Sequence, residues 1–128
     1  MPAAFLIVDD SHGKVFLLRH ILQRAKWQGD ILVASTTDEA KKIIDDHPEI
    51  GAAFVDYYVP RENGPAVIRY LKSRNPVSRI ALVSSADSEQ NAAEAKRSGA
   101  EAVVCSSYAE DEVEHELLHL LGEWMITL

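Results

Sequence analysis

Three carboxylates end two apolar runs of this 128-residue chain. Asp9 and Asp10 follow AAFLIV; Asp56 follows AAFV, with Pro60 and Gly64 in the segment just beyond it. A single acid in such a place is usually a turn or cap residue, but three converging on one point have a different physics. If the two runs are neighbouring strands, the charges repel and push at least one group toward its protonated form. A hard divalent cation removes that conflict, because Mg²⁺ binds through one or two carboxylates, a backbone carbonyl and several waters. A third run, IALV, ends in Ser84 and Ser85 and offers hydroxyls at the same kind of edge. Pro60 and Gly64 then shape the loop after Asp56 so that its backbone reaches the cation.

The elements that must hold these groups alternate in type. Apolar runs cover residues 3–8 (AAFLIV), 31–34 (ILVA), 52–55 (AAFV), 80–83 (IALV) and 102–105 (AVVC). They are short and mostly continuous, the pattern of strands covered on both faces, as in a parallel sheet. Between them lie helical periodicities. The first places Val15, Leu18, Ile21, Leu22 and Ala25 on one stripe and ends near residues 27–29; the second covers 37–47, opened by a threonine cap and early acids. The third follows Asn63-Gly64-Pro65, a capping residue and an early proline, turns Val67, Ile68 and Leu71 inward, and ends by Pro76. The fourth covers 88–98 with only alanines as apolar positions and closes at Gly99. The fifth covers about 110–125, with Val113, Leu117, Leu120, Leu121 and Trp124 in phase. Five strand–helix units predict one α/β domain over residues 1–128, a three-layer, doubly wound five-stranded parallel sheet with right-handed crossovers. In such sheets ligands bind outside the carboxyl ends of the strands, where the three acids fall.

Composition narrows the classes. A formal net charge of −7 leaves no basic surface for nucleic acid. Apolar content of 47% and charged content of 26% are those of a globular domain. No apolar run reaches the roughly 20 residues of a membrane span. The single cysteine, Cys105, has no internal disulfide partner, which fits a reducing compartment, and the start of the chain lacks the marks of a signal peptide. A cytoplasmic location is expected.

The segments LIVDD, VDYYVPRENG, LVSSA and SGAEAVV, in that order, resemble the receiver domain of two-component response regulators, over essentially the whole chain. The resemblance implies a flavodoxin-like sheet of order 2-1-3-4-5 and Mg²⁺-dependent transfer of a phosphoryl group from a histidine kinase or phosphotransfer protein to a carboxylate. By position, Asp56 matches the phosphoacceptor, Asp10 the direct metal ligand, Asp9 the neighbouring acid acting through water, and the backbone carbonyl of Tyr58 the third protein ligand. Ser84 matches the hydroxyl that holds the attached phosphoryl group. Signalling is then expected through contact with a downstream effector protein, with no enzymatic activity beyond self-phosphorylation and autodephosphorylation. Tyr58, two residues past Asp56, is expected to shield the acyl phosphate and slow its loss.

The resemblance breaks at the end of the fifth run. Receiver domains carry a lysine there, usually followed by proline; this chain reads Ser106-Ser107. A serine hydroxyl brings no charge, and neutral hydrogen bonds are roughly half as strong as charge-assisted ones. Val103 stands where an aromatic switch residue is expected. Lys14, His12 and Arg61 are candidates for a substitute cation. Two readings follow: a receiver phosphorylated on Asp56 with an altered readout, or a pseudo-receiver, an interaction module independent of phosphorylation.

Other features are weaker. HELLH (residues 115–119) matches the zinc motif HExxH, but the only later acid, Glu123, lies on the same helix, so no separate segment closes a site. Two solvent-facing histidines explain it better than a metallopeptidase. Cys105, Trp27 and Trp124 read as core or rim residues, the acid-rich segment 110–116 as a solvated helix start, and Asp45-Asp46 as a helix end without a partner. Leu118, Met125 and Ile126 fall off the main stripe of the last helix and form a candidate dimer or partner face.

Overall fold

A computed structural model of the chain describes residues 2–86 and 88–127. Strands β1 (Ala4–Val8), β2 (Ile31–Ala34), β3 (Ile50–Val55), β4 (Arg79–Ser84) and β5 (Ala102–Cys105) alternate with helices α1 (His12–Arg24), α2 (Thr37–Asp46), α3 (Gly64–Arg74), α4 (Glu89–Ser98) and α5 (Glu110–Thr127). All strand pairs are parallel, in the order β2-β1-β3-β4-β5. This is the expected α/β sandwich.

Alternation along each strand divides the core into two layers. Leu6, Val8, Ala53, Val55 and Leu82 face Ile44, Val67, Ile68 and Leu71 of α2 and α3. Phe5, Ile7, Phe54 and Val83 face Leu18, Ile21 and Leu22 of α1 and Leu117, Leu121 and Trp124 of α5. In that second layer Phe5 meets Trp27 edge-on at 5.1 Å and Phe54 at 4.6 Å. The covering of α4 is thin: only Ala95 and Ser98 of its residues are buried.

Local rules set the element ends. Ser11, Thr36, Asn63 and Ser88 cap α1, α2, α3 and α4 with side-chain oxygens that accept backbone N–H groups three residues on. Gly99 ends α4 at φ +124°, a conformation that side chains rarely adopt. Strand β3 begins two residues earlier than its apolar run, because Ile50 pairs with Ala4 across a register shift. Asp45, expected to lack a partner, accepts from the Tyr70 hydroxyl at 2.7 Å and faces Arg74 at 3.2 Å, so its role at the end of α2 is a tie to α3. No helix among the described residues is long and apolar enough to cross a membrane.

Candidate functional site

The parallel register puts Val8 beside Val55, and the pairing runs on: Asp56 donates its backbone N–H to the Val8 carbonyl at 2.9 Å. The acids that follow these two strands are therefore forced together at one edge of the sheet. One oxygen each of Asp9, Asp10 and Asp56 lies within 4.8 Å of the others. No other group of three metal-ligating side chains was found among the described residues.

The three acids differ in environment. Asp10 is exposed and lines a shallow cleft with Tyr58, Val59, Pro60, Arg61 and Glu62. Asp56 is half-buried; its Oδ1 accepts the Tyr57 N–H at 2.9 Å, while Oδ2 accepts no hydrogen bond among the described residues. Asp9 is only 2% exposed. Burial pushes its carboxyl above the usual 3.8; the Lys14 ammonium and the Ser11 N–H pull the other way without cancelling that effect, and Asp56 adds to it. Asp9 Oδ1 accepts from Ser11 N at 2.9 Å. Oδ2 lies 2.9 Å from Lys14 Nζ, an ion pair by distance that lacks the alignment of a hydrogen bond. Its lone pairs thus remain under-used inside the protein. A buried, under-coordinated carboxylate oxygen beside two further acids is a donor set suited to a hard cation.

Of the candidate cations that the sequence offers, Lys14 is the one in contact with the acids. It stands in the first turn of α1, and its Nζ reaches Asp9 at 2.9 Å, Asp56 Oδ1 at 3.3 Å and the backbone carbonyl of Val83 on β4. Its side chain is 15% exposed, so these contacts are partly shielded from water. The other two candidate cations border the acids without an ion pair to them among the described residues: Asp9 shares a groove with His12, Phe16, Arg19 and Glu39, and Asp10 a cleft with Arg61.

The loop from β3 to α3 is held closely. Gly64 donates to the Tyr57 carbonyl at 2.7 Å, and a Cβ on Gly64 would stand 2.0 Å from the carbonyl oxygen of Asp56. The Tyr58 carbonyl, by contrast, accepts no hydrogen bond among the described residues and stays available to a ligand. Thr37, at the start of α2, fixes the loop by donating its backbone N–H to the Pro60 carbonyl at 3.1 Å. The next residue, Arg61, sits at φ +90°, strained for a side chain of its size. Tyr58 is 67% exposed, with its ring edge-on to Tyr57 at 5.1 Å.

On β4, Ser84 is 1% exposed, and its hydroxyl oxygen accepts the Ala86 N–H at 3.1 Å. Its carbonyl accepts the Ser106 N–H at 3.2 Å, which places Ser106 next to the end of β4. Val103 is half-buried against the α2–α3 side of the core. His115 and His119 are exposed on α5, with His119 3.0 Å from Glu123 of the same helix. They join no three-ligand group among the described residues, and Leu117 between them is buried in the core, so HELLH joins exposed histidines to a core leucine. Cys105 is buried. Leu118 packs partly against the core, while Met125 and Ile126 are exposed.

Comparison with known proteins agrees with this architecture. No curated protein matches the chain by sequence. A CheY-like response regulator receiver domain protein from Methanospirillum hungatei JF-1 superimposes with a TM-score of 0.79 at 20% identity, covering 96% of each chain. The CheX-CheY-BeF3-Mg²⁺ complex from Borrelia burgdorferi gives 0.77 at 21% identity, over 94% of this chain and 90% of that one. A Burkholderia pseudomallei response regulator with a phosphorylated aspartic acid and a calcium ion gives 0.73 at 20% identity, over 98% and 75%. At these identities the likeness establishes the fold. The model of the response regulator receiver domain matches residues 5–117, nearly the whole chain, and the chain belongs to that family.

Proposed function

We propose that residues 1–128 form a cytoplasmic receiver domain that accepts a phosphoryl group on Asp56 in a Mg²⁺-dependent reaction and signals by protein–protein contact. The observation that carries this reading is the convergence of Asp9, Asp10 and Asp56 within 4.8 Å. Asp10, Asp56 and the Tyr58 carbonyl would hold the ion directly, with Asp9 behind them through water. Bound there, Mg²⁺ supplies positive charge that offsets repulsion between the acids and an incoming phosphate. The rest is positioning, which is most of what phosphoryl transfer requires of a protein. Asp56 Oδ2, free of hydrogen bonds among the described residues, is the nucleophile. It forms a bond to phosphorus as the donor's bond to phosphorus breaks, and the donor leaves with that electron pair. The donor is a phosphohistidine on a kinase or phosphotransfer protein. Ser84 lies at the end of the adjacent strand, where its hydroxyl can exchange the Ala86 N–H for a phosphoryl oxygen.

Intact-mass measurement after incubation with acetyl phosphate and Mg²⁺ tests the proposal. The native protein gains one phosphoryl group, while Asp56→Asn gains none. No gain on the native protein refutes it and favours the pseudo-receiver, the reading to which Ser106 in place of the family's lysine lends support.

A further inference from the structure

Lys14 has no assigned task in the resemblance, yet it is the cation that touches the working carboxylate. Three acceptors surround its ammonium group: Asp9 Oδ2 at 2.9 Å, Asp56 Oδ1 at 3.3 Å and the Val83 carbonyl. An ammonium has three N–H donors and no lone pair; here one hydrogen bond goes to the Val83 carbonyl, and the two carboxylates are ion-pair partners by distance. Asp9 directly follows β1, Asp56 directly follows β3, Val83 lies in β4, and the lysine itself comes from α1. Such a placement is more than charge neutralisation on a surface, where one flexible pair would suffice. The ammonium is held beside Oδ1 of Asp56, with the Val83 carbonyl as a neutral anchor.

We propose that Lys14, reaching in from the first turn of α1, is the catalytic cation that binds the phosphoryl group transferred to Asp56. The inference rests on the phosphoacceptor role of Asp56. Before transfer the ammonium shares the charge of two carboxylates. After transfer to Oδ2, the Oδ1 that Lys14 faces becomes the neutral carbonyl oxygen of an acyl phosphate, and the phosphoryl oxygens become the strongest anions in reach. The ammonium then needs to move only within its own contact range to pair with one of them, and the pair is charge-assisted. The Val83 carbonyl is the acceptor it can give up, since a neutral oxygen competes worst for a charged donor. Ser84 follows Val83 directly, so occupancy of Asp56 is coupled to the end of β4 without a lysine on β5.

Beryllofluoride binding with saturating Mg²⁺ tests this on the native protein and on Lys14→Met, with Mg²⁺ affinity and thermal unfolding measured alongside. Loss of one hydrogen bond to a charged group predicts beryllofluoride affinity lower by about tenfold to hundredfold. Mg²⁺ affinity is expected to be unchanged or tighter, since a like charge has left the site. Adding Ser106→Lys to Lys14→Met is expected to recover part of the loss. Should Lys14→Met fail to fold, the native protein decides: with ¹⁵N-lysine labelling, the Lys14 ammonium resonance shifts on beryllofluoride addition. Equal beryllofluoride affinity in Lys14→Met, or a Lys14 resonance that ignores the ligand, overturns the inference while leaving Asp56 as the acceptor. Failure of the native protein to bind beryllofluoride or take up phosphate removes the underlying reading, and this inference with it.

Discussion

Replacing Asp9 with asparagine is expected to stabilise the metal-free protein while weakening its response to Mg²⁺. The carboxyl group is buried, and burial raises its pKa above 3.8 despite the ammonium 2.9 Å away. A pKa raised by folding means that the native state holds the proton more tightly than the unfolded chain. The associated stability is complete below the ordinary value and is lost as pH rises through the raised one. At pH 8 the native state therefore carries a charge it would be more stable without. Asparagine keeps an Oδ1 acceptor for the Ser11 N–H and carries no charge, while Lys14 keeps Asp56 and the Val83 carbonyl. Single stabilising substitutions commonly yield about 0.5–2 kcal/mol. A gain of about 1 kcal/mol, or about 3–5 °C in Tm for a domain of this size, is the expected result in EDTA at pH 8. Near pH 3.5 the difference shrinks, because the native carboxyl is by then mostly protonated. Excess Mg²⁺ at pH 8 reverses the order: at 100 times its dissociation constant a ligand adds about 2.7 kcal/mol to the native protein, and the variant gains less. Thermal unfolding of both proteins under the three conditions decides the matter. If Asp9→Asn melts below the native protein in EDTA at pH 8, the Asp9–Lys14 attraction outweighs the burial cost and the reasoning is wrong.

Three further outcomes follow from the loop after β3. Gly64→Ala forces a Cβ to 2.0 Å from the Asp56 carbonyl oxygen; it is expected to cost about 1–3 kcal/mol in urea unfolding and to slow phosphorylation by acetyl phosphate, and unchanged values on both counts would show that the loop yields freely. Arg61→Gly releases a residue at φ +90°; strain relief of about 1–3 kcal/mol against a glycine entropy cost of about 0.5–1 kcal/mol leaves a net gain of about 1 kcal/mol, which a lower urea midpoint contradicts. Tyr58→Asn removes a bulky exposed ring beside Asp10 and is expected to speed loss of the acyl phosphate, followed by intact mass over time; equal decay rates dismiss the shielding role.

The strands were legible because both faces of the sheet are covered, which leaves continuous apolar runs in the sequence. Their junctions with Asp9, Asp10 and Asp56 were legible for the same reason, since each run stops where the sheet meets solvent. Two things escaped. Ile50 and Gly51 belong to β3 through a register shift with Ala4, and such a shift depends on the partner strand rather than on local pattern. Lys14 was one of three candidate substitute cations, and nothing local set it above His12 and Arg61. Its contacts emerge only when α1 is packed on β1 and β3 with β4 next to them, because four separate segments define the space its ammonium fills. The tie between Asp45 and α3 was missed likewise: Tyr70 and Arg74 are distant in sequence and adjacent only after folding.

The slight anchoring of α4 has a mechanical consequence. Helix α3 plugs Val67, Ile68 and Leu71 into the sheet, and dragging such side chains out of their sockets opens voids. Helix α4 rests on Ala95 and Ser98, groups too small to leave much of a hole when they slide. Among the helices flanking the acids, it is the one that can tilt at little cost in free energy. It also begins three residues past Ala86, so this lightly anchored lever is the next element after the strand that ends in Ser84.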